Sequence, residues 1–370
     1  MPEPQTHIEL IGSQPALDEF FAQLRDRDII PLDTEFNRTS TFRPQLCLIQ
    51  IAAASRIGCI DTLAKMPLGA MKTALSRPDA LKLLHAAKQD LEALHLTYGL
   101  LPGPIFDTQI AAGLIGHPPQ LGYAALVLNL LGIQLDKSAT RTDWSRRPLS
   151  PEQLQYAAED VAYLAELYDL LRHRLEQQGR YDWAQEDSEA LLDPALYDTA
   201  PEQAWRRLAG IRYRPVDVQV RARQLAAWRE RRASDVDRPR QWVMADKALL
   251  HIAQANPADR SSLSSTPGLP PAIARKQAAA ILQQLEVANA RARRGEVDFE
   301  RQKRPQPADK TAVKALGEIL SRRAEELGVA AEILATRRDL TALLQGGRPA
   351  RLVSGWRWQV IGADLVAALR

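Results

Sequence analysis

The chain has 370 residues, 45% of them apolar and 25% charged, with a net charge of +3. This balance excludes large-scale disorder, and the length exceeds what one compact core serves, so two or three domains are expected. Two cysteines, Cys47 and Cys59, cannot make a disulfide framework or a four-thiolate zinc site, and no apolar run nears the ~18 residues of a membrane span. Met1 to Leu10 lack a basic segment followed by an apolar one, so a cytoplasmic protein without membrane contact is expected.

The first half alternates strand and helix patterns. His7 to Ile11 reads as a strand, and Ser13 as the cap of a helix over Pro15 to Arg25 with Leu17, Phe20, Phe21 and Leu24 at helical spacing. Ile29 to Phe36, Leu46 to Ala53 and Arg56 to Asp61 are closely spaced β-rich runs, the pattern of an antiparallel meander. Leu81 to His85 reads as a strand and Gln89 to Thr97 as the helix after it. Asp107 to Leu131 is helical with a break near His117-Pro118-Pro119. Ser150-Pro151-Glu152-Gln153 can form a capping box, and the helix it starts should run to about Gln178.

After about Asp193 no alternating strand is found. Helical windows follow one another: Pro201 to Leu208, Val216 to Arg232, Asp246 to Ala255, Pro271 to Ala290, Lys310 to Leu327, Ala330 to Leu344 and Ala363 to Leu369. They predict two small all-helical bundles. Charge is concentrated in this half: Arg221 to Arg240 holds seven arginines against three acids, and Arg291 to Arg304 six basic residues against three. Such runs are usually solvated helix faces, but two of them favour a polyanionic partner.

Four carboxylates and a tyrosine stand out. Asp33 and Glu35 lie two apart in an apolar strand and therefore share a face, where their repulsion requires a compensating cation. Asp90 falls in the first turn of a helix, and Tyr156 and Asp160 lie one turn apart beside the apolar stripe Leu154, Ala157, Val161, Leu164 and Tyr168. Glu159, the rival of Asp160, points away from that stripe. Each feature alone has an ordinary structural explanation: a strand-end acid, a dipole-complementing acid, a packed phenol. His85 reads as a satisfied core histidine, and Asp107 and Asp136 as possible helix caps. Lys137, Arg141, Arg146 and Arg147 surround Trp144, a mixture suited to phosphates and stacked bases.

Together these residues resemble the three motifs of the DEDD exonuclease superfamily. Asp33-Thr34-Glu35 is similar to the first motif, Asp90 to the second, and Tyr156 with Asp160 to the tyrosine form of the third. Phe42-Arg43-Pro44-Gln45-Leu46, Phe106-Asp107-Thr108-Gln109, Leu135-Asp136-Lys137-Ser138 and Arg141 to Leu149 resemble the ribonuclease D family in particular. The resemblance implies an α/β fold of RNase H type, a mixed sheet flanked by helices, at residues 1–193. All-α HRDC-like bundles would follow at 210–292 and, in divergent form, at 305–370. It implies catalysis by Asp33, Glu35, Asp90, Tyr156 and Asp160. The four carboxylates would hold two divalent cations, Mg²⁺ or Mn²⁺, as their oxygen donors also suggest. Thr34, Phe36, Gln89, Lys137, Arg141, Trp144 and Arg146 are the expected substrate contacts. The implied substrates are single-stranded RNA 3′ ends, tRNA precursors above all, with no obligate protein partner evident. A DNA 3′→5′ exonuclease, or an inactive nucleic-acid-binding relative, are the competing readings.

Overall fold

Six strands form one mixed sheet: β1 (His7–Ile11), β2 (Ile29–Asn37), β3 (Gln45–Ala53), β4 (Arg56–Asp61), β5 (Leu81–Leu84) and β6 (Ile105–Asp107), in the order β1-β4-β3-β2-β5-β6. The computed structural model describes residues 7–24, 28–53, 55–136, 142–198, 200–297, 299, 301 and 307–369. β3 runs antiparallel to β2 and β4, which is the expected meander; β1 lies parallel to β4, and β2, β5 and β6 are parallel to one another. Parallel neighbours need crossovers. These carry α1 (Gln14–Ala22), α2 (Gly69–Leu75) and α3 (Lys88–Tyr98). β6 has only three residues, too few for alternation to register, and sequence reasoning missed it.

After the sheet come α4 (Thr108–Leu114), α5 (Tyr123–Leu131), α6 (Pro151–Ala162), α7 (Leu164–Gln177) and α8 (Tyr181–Glu189). The capping box forms: Gln153 N donates to Ser150 Oγ and Ser150 N to Gln153 Oε1. The helix does not run on to Gln178 as expected; it stops at Ala162, and Tyr163 leaves helical geometry (φ −107, ψ 3). The Tyr123 hydroxyl explains the break. It donates to Glu159 O at 3.1 Å and accepts from Tyr163 N at 3.2 Å, occupying the two groups that would otherwise bond to each other in the helix.

By its contacts the chain divides into two compact units, Met1–Asn37 with Gln45–Pro194 and Gln306–Arg370, and Arg38–Pro44 with Ala195–Pro305. The second contains α9 (Val216–Asp235), α10 (Arg240–Val243), α11 (Asp246–Ala255), α12 (Arg260–Ser264) and α13 (Pro271–Arg293) around Leu225, Leu249, Ile252 and Ile281. The window Pro201 to Leu208 is a 3₁₀ segment, Pro201–Arg207, rather than an α-helix.

The C-terminal helices belong to the first unit. They are α14 (Pro307–Leu327), α15 (Ala331–Leu334), α16 (Arg337–Leu344), α17 (Ala350–Val353), α18 (Gly355–Arg357) and α19 (Ala363–Ala367). The expected single helix from Ala330 to Leu344 is two, because Thr336 is extended and opens a new capping box with Asp339. Leu316, Leu320, Leu340 and Trp356 share one core with Phe106, Ala112 and Leu167. Trp356 stacks on Trp183 with ring centroids 4.4 Å apart, and Arg357 grips both oxygens of Asp187. Arg180 donates to Leu114 O and Leu327 O, closing the last turns of α4 and α14 together. Among the described residues no helix is long and apolar enough to cross a membrane.

Candidate active site

β2 is buried from Ile30 to Leu32 and at Thr34, and carries Asp33 and Glu35 at partly buried positions two residues apart. Its register with β3 slips between Glu35 and Phe36, a bulge that ends the regular alternation just past the second carboxylate. α6 packs over β2, β3 and β4 through Ala157, Ala158 and Val161, and these small residues let Asp160 approach the strand. Carboxylate oxygens of Asp33, Glu35 and Asp160 lie within 4.8 Å of one another. Asp90 enters from the first turn of α3; it is 7% exposed and accepts a 2.5 Å hydrogen bond from the Thr34 hydroxyl. Thr34 therefore holds a carboxylate rather than standing free for substrate.

Burial is the largest force on each acid, and the neighbouring carboxylates add to it. Asp33 is pushed well above the carboxylate range by burial, then by Asp90, Asp160 and Glu35. Burial, then Asp160 and Asp90, lift Glu35 to about 8. Asp90 rises to about 7 through burial, partly offset by the Thr34 hydrogen bond. Asp160 rises to about 7 through burial, Glu159 and Asp90, against a hydrogen bond from the Tyr156 phenol. Among the described residues, no lysine or arginine is one of the larger influences on these four acids.

Tyr156 and Asp160 line a groove of about 380 Å³ with Tyr123, Leu135, Asp136 and Glu159. Glu159 faces the solvent side, where Gln155 Nε2 donates to it. His85 is satisfied, with Nδ1 against the Thr108 hydroxyl and Nε2 against Leu121 O, both at 2.9 Å. Asp107 does cap α4.

The expected substrate contacts scatter. Phe36 is half-buried and Gln89 exposed. Trp144 is only 4% exposed and packs beside Tyr156, with ring centroids 6.2 Å apart, so its faces are not open to a base. The Arg146 side chain is 84% exposed and touches Asp143. Lys137 and Arg141 lie outside the described residues. Arg147, weighed with this cluster, is a structural tie: it grips both oxygens of Asp61 and donates to Cys47 O, Trp144 O and Arg146 O. Its partner stands 86 residues away, so nothing local could have revealed it.

Gln50, which belongs to the Leu48-Ile49-Gln50 run that resembles ribonuclease D, is not among the expected site residues. It pairs across the sheet with Asp33, so it shares that face; it is fully buried, and neither end of its amide finds a hydrogen-bond partner among the described residues. An orphaned amide beside like-charged, buried oxygen donors is the environment a hard divalent cation and its water would complete. The residues present fit such a metal.

Carboxylates on the central strand of a mixed sheet, joined by a tyrosine–aspartate pair on a crossing helix, are the arrangement expected of a metal-dependent 3′→5′ exonuclease. Comparison with known proteins agrees. The 3'-5' exonuclease family matches residues 8–176, and the HRDC domain family matches residues 219–285. The chain is 38% identical to ribonuclease D of Granulibacter bethesdensis over 97% of its own length and 91% of that protein's. It is 39% identical to ribonuclease D of Gluconacetobacter diazotrophicus, covering 97% and 92%. The crystal structure of Escherichia coli RNase D, an exoribonuclease involved in structured RNA processing, matches with a TM-score of 0.89 at 30% identity over 98% of both chains. The chain belongs to the ribonuclease D family: it is a hydrolytic 3′→5′ exoribonuclease that uses divalent metal.

Proposed function

We propose that this enzyme trims the 3′ ends of RNA, tRNA precursors in particular, in the cytoplasm, with two Mg²⁺ or Mn²⁺ ions and release of nucleoside 5′-monophosphates. The observation that carries the reading is the Asp33–Glu35–Asp160 cluster at the rim of the Tyr156 groove. Asp33, Glu35, Asp90 and Asp160 would hold the metals. When bound, divalent cations neutralise charge on the phosphate and make water a better nucleophile at neutral pH.

The protein's own part is positioning. Thr34 fixes the Asp90 carboxylate, and α6 carries both Tyr156 and Asp160 on one face. The Tyr156 phenol, bonded to Asp160, can hold a water in line with a phosphorus in the groove. An ordinary phenol is too weak an acid to be ionised at neutral pH, so its role is to orient and accept a hydrogen bond rather than to stand as a charged base.

The helical unit supports an RNA substrate differently from the way its composition suggests. Within Arg221 to Arg240, Arg221 and Arg229 are buried, and Arg231 and Arg240 pair with Glu202 and Glu230. The groups left facing solvent include Trp242, 58% exposed with Arg238 at 5.9 Å, and the exposed Arg291 and Arg293. An aromatic face beside guanidinium groups suits a single strand.

The test is to incubate the purified protein with a tRNA precursor bearing a 3′ extension, and with a DNA of matched sequence, with and without Mg²⁺. Stepwise shortening of the RNA with 5′-mononucleotide release, abolished by chelation, is expected. Equal or faster degradation of the DNA would overturn the substrate reading.

A further inference from the structure

Ala86 has a positive φ of 58°, a conformation that a residue with a Cβ adopts at a cost. It stands in the turn between β5 and α3, four residues before Asp90, and nothing in its own sequence favours that turn. What holds it is Asp107, at the end of β6. Asp107 is 2% exposed. Its Oδ2 accepts from Ala87 N at 2.9 Å, and its Oδ1 accepts from Ala86 N at 3.0 Å and from Gln109 N and Ile110 N at the start of α4. One carboxylate thus ties two chain segments through four backbone N–H groups. Its own backbone is backed by α8, since Asp107 N donates to Ser188 Oγ at 3.1 Å.

A helix N-cap needs only one or two of these bonds. The bonds to Ala86 and Ala87 do something else. Ala87 is the N-cap of α3, and Leu91 N donates to its carbonyl. Fixing Ala87 fixes the first turn of α3, where Asp90 sits, while the Thr34 hydroxyl fixes the far end of the Asp90 side chain. We propose that Asp107 is a positioning residue for Asp90: it holds the strained Ala86 turn and so sets the place of one metal-binding carboxylate without touching metal or substrate. The proposal rests on Asp90 being a metal ligand.

The geometry supplies a selective variant. In Asp107→Asn, the asparagine caps a helix as well as aspartate does, and its amide oxygen can keep the three bonds now made by Oδ1. Only the oxygen facing Ala87 N is replaced, by a donor. Mn²⁺ binding to Asp107→Asn, measured calorimetrically without RNA, should weaken by about tenfold, as when an outer partner of a metal site is lost. Ala86→Gly removes the conformational penalty at φ 58°, so the double variant Ala86→Gly/Asp107→Asn should recover most of the lost affinity. Thermal unfolding of each variant separates this from loss of fold. The proposal is overturned if Asp107→Asn binds Mn²⁺ like the unaltered protein, or if it binds weakly and the added Ala86→Gly restores nothing. Asp90→Asn is the reference. If that variant itself binds Mn²⁺ undiminished, the metal assignment of Asp90 fails, and the positioning role fails with it.

Discussion

Two of the enzyme's clusters of buried charge are treated in opposite ways. In the α/β unit, Asp33, Glu35, Asp90 and Asp160 lie close together with no cation of the described residues acting strongly on them; burial drives all four pKa values up, and neighbouring carboxylates add to it. In the helical unit, charge is also buried, but it is matched. Arg229, 1% exposed, donates to Asp246 and to Met244 O; Arg221 meets Asp217 and Ala253 O; Glu230 takes both Arg207 and Arg240. Matched charge reads as structure, whereas like charge left unmatched reads as a site awaiting a ligand.

The largest effect expected is on catalysis. Asp33→Asn, Glu35→Gln, Asp90→Asn and Asp160→Asn should each reduce single-turnover mononucleotide release by about 10³-fold, several kcal/mol of lost charge stabilisation. Pairs should lose little more than single variants, because the group acts as a unit. A variant retaining full activity would remove that residue from the cluster.

Next comes the matched cluster. Asp246→Ala leaves the buried Arg229 without its anion and should destabilise the fold by about 3 kcal/mol in urea titration. Mn²⁺ affinity at the carboxylates should not change. Asp33→Asn should act in the other sense and raise the melting temperature of metal-free protein. If both substitutions shift stability in the same direction, the contrast between the two clusters is wrong.

Tyr156→Phe keeps the ring against Trp144 and removes the hydroxyl. Turnover should fall by about 10²-fold with RNA affinity little changed. Equal rates in a single-turnover assay would make the phenol a packing group.

A smaller, pH-linked effect follows from the raised acids. Between the ordinary carboxyl range near pH 4 and the values of about 7 to 8 reached in the fold, the native state holds more protons than the unfolded chain. The stability these groups give is therefore full at low pH and lost as pH rises through that window. Metal-free protein should melt lower at pH 8 than at pH 5.5, by an amount read from scanning calorimetry. Saturating Mg²⁺ should flatten the slope, because binding expels the same protons. The smallest effect is at the helical surface: Arg291→Glu with Arg293→Glu should weaken RNA binding and reduce the slope of log affinity against log salt by about two.

Several elements were legible locally. β1, β4 and α11 fall where the hydrophobic pattern placed them, and the Ser150 capping box is written in four residues. The spacing of Asp33 and Glu35 alone put two carboxylates on one face of a strand, and the position of Asp90 put it in a helical first turn. Other features had no local signal. The break at Tyr163 depends on a hydroxyl 40 residues earlier, and Arg147 on an acid 86 residues away. Trp144 looked like a stacking platform among basic residues, yet the core absorbed it. The run of arginines looked like one surface, but helical geometry turns some of its members inward.

By itself, then, the sequence determined which residues could carry the chemistry, since carboxylates at strand and helix spacing are a matter of chain periodicity. It also determined that helices replace strands after about Asp193. Tertiary structure alone decided which charges meet and which are compensated. Folding brings β2, α3 and α6 together so that four acids share one buried space, ties Asp107 to a turn 20 residues behind it, and gives the C-terminal helices a common core with the sheet rather than with the HRDC helices. Those outcomes depend on contacts between segments far apart in the chain, and desolvation and Coulomb forces act through such contacts whatever the sequence separation.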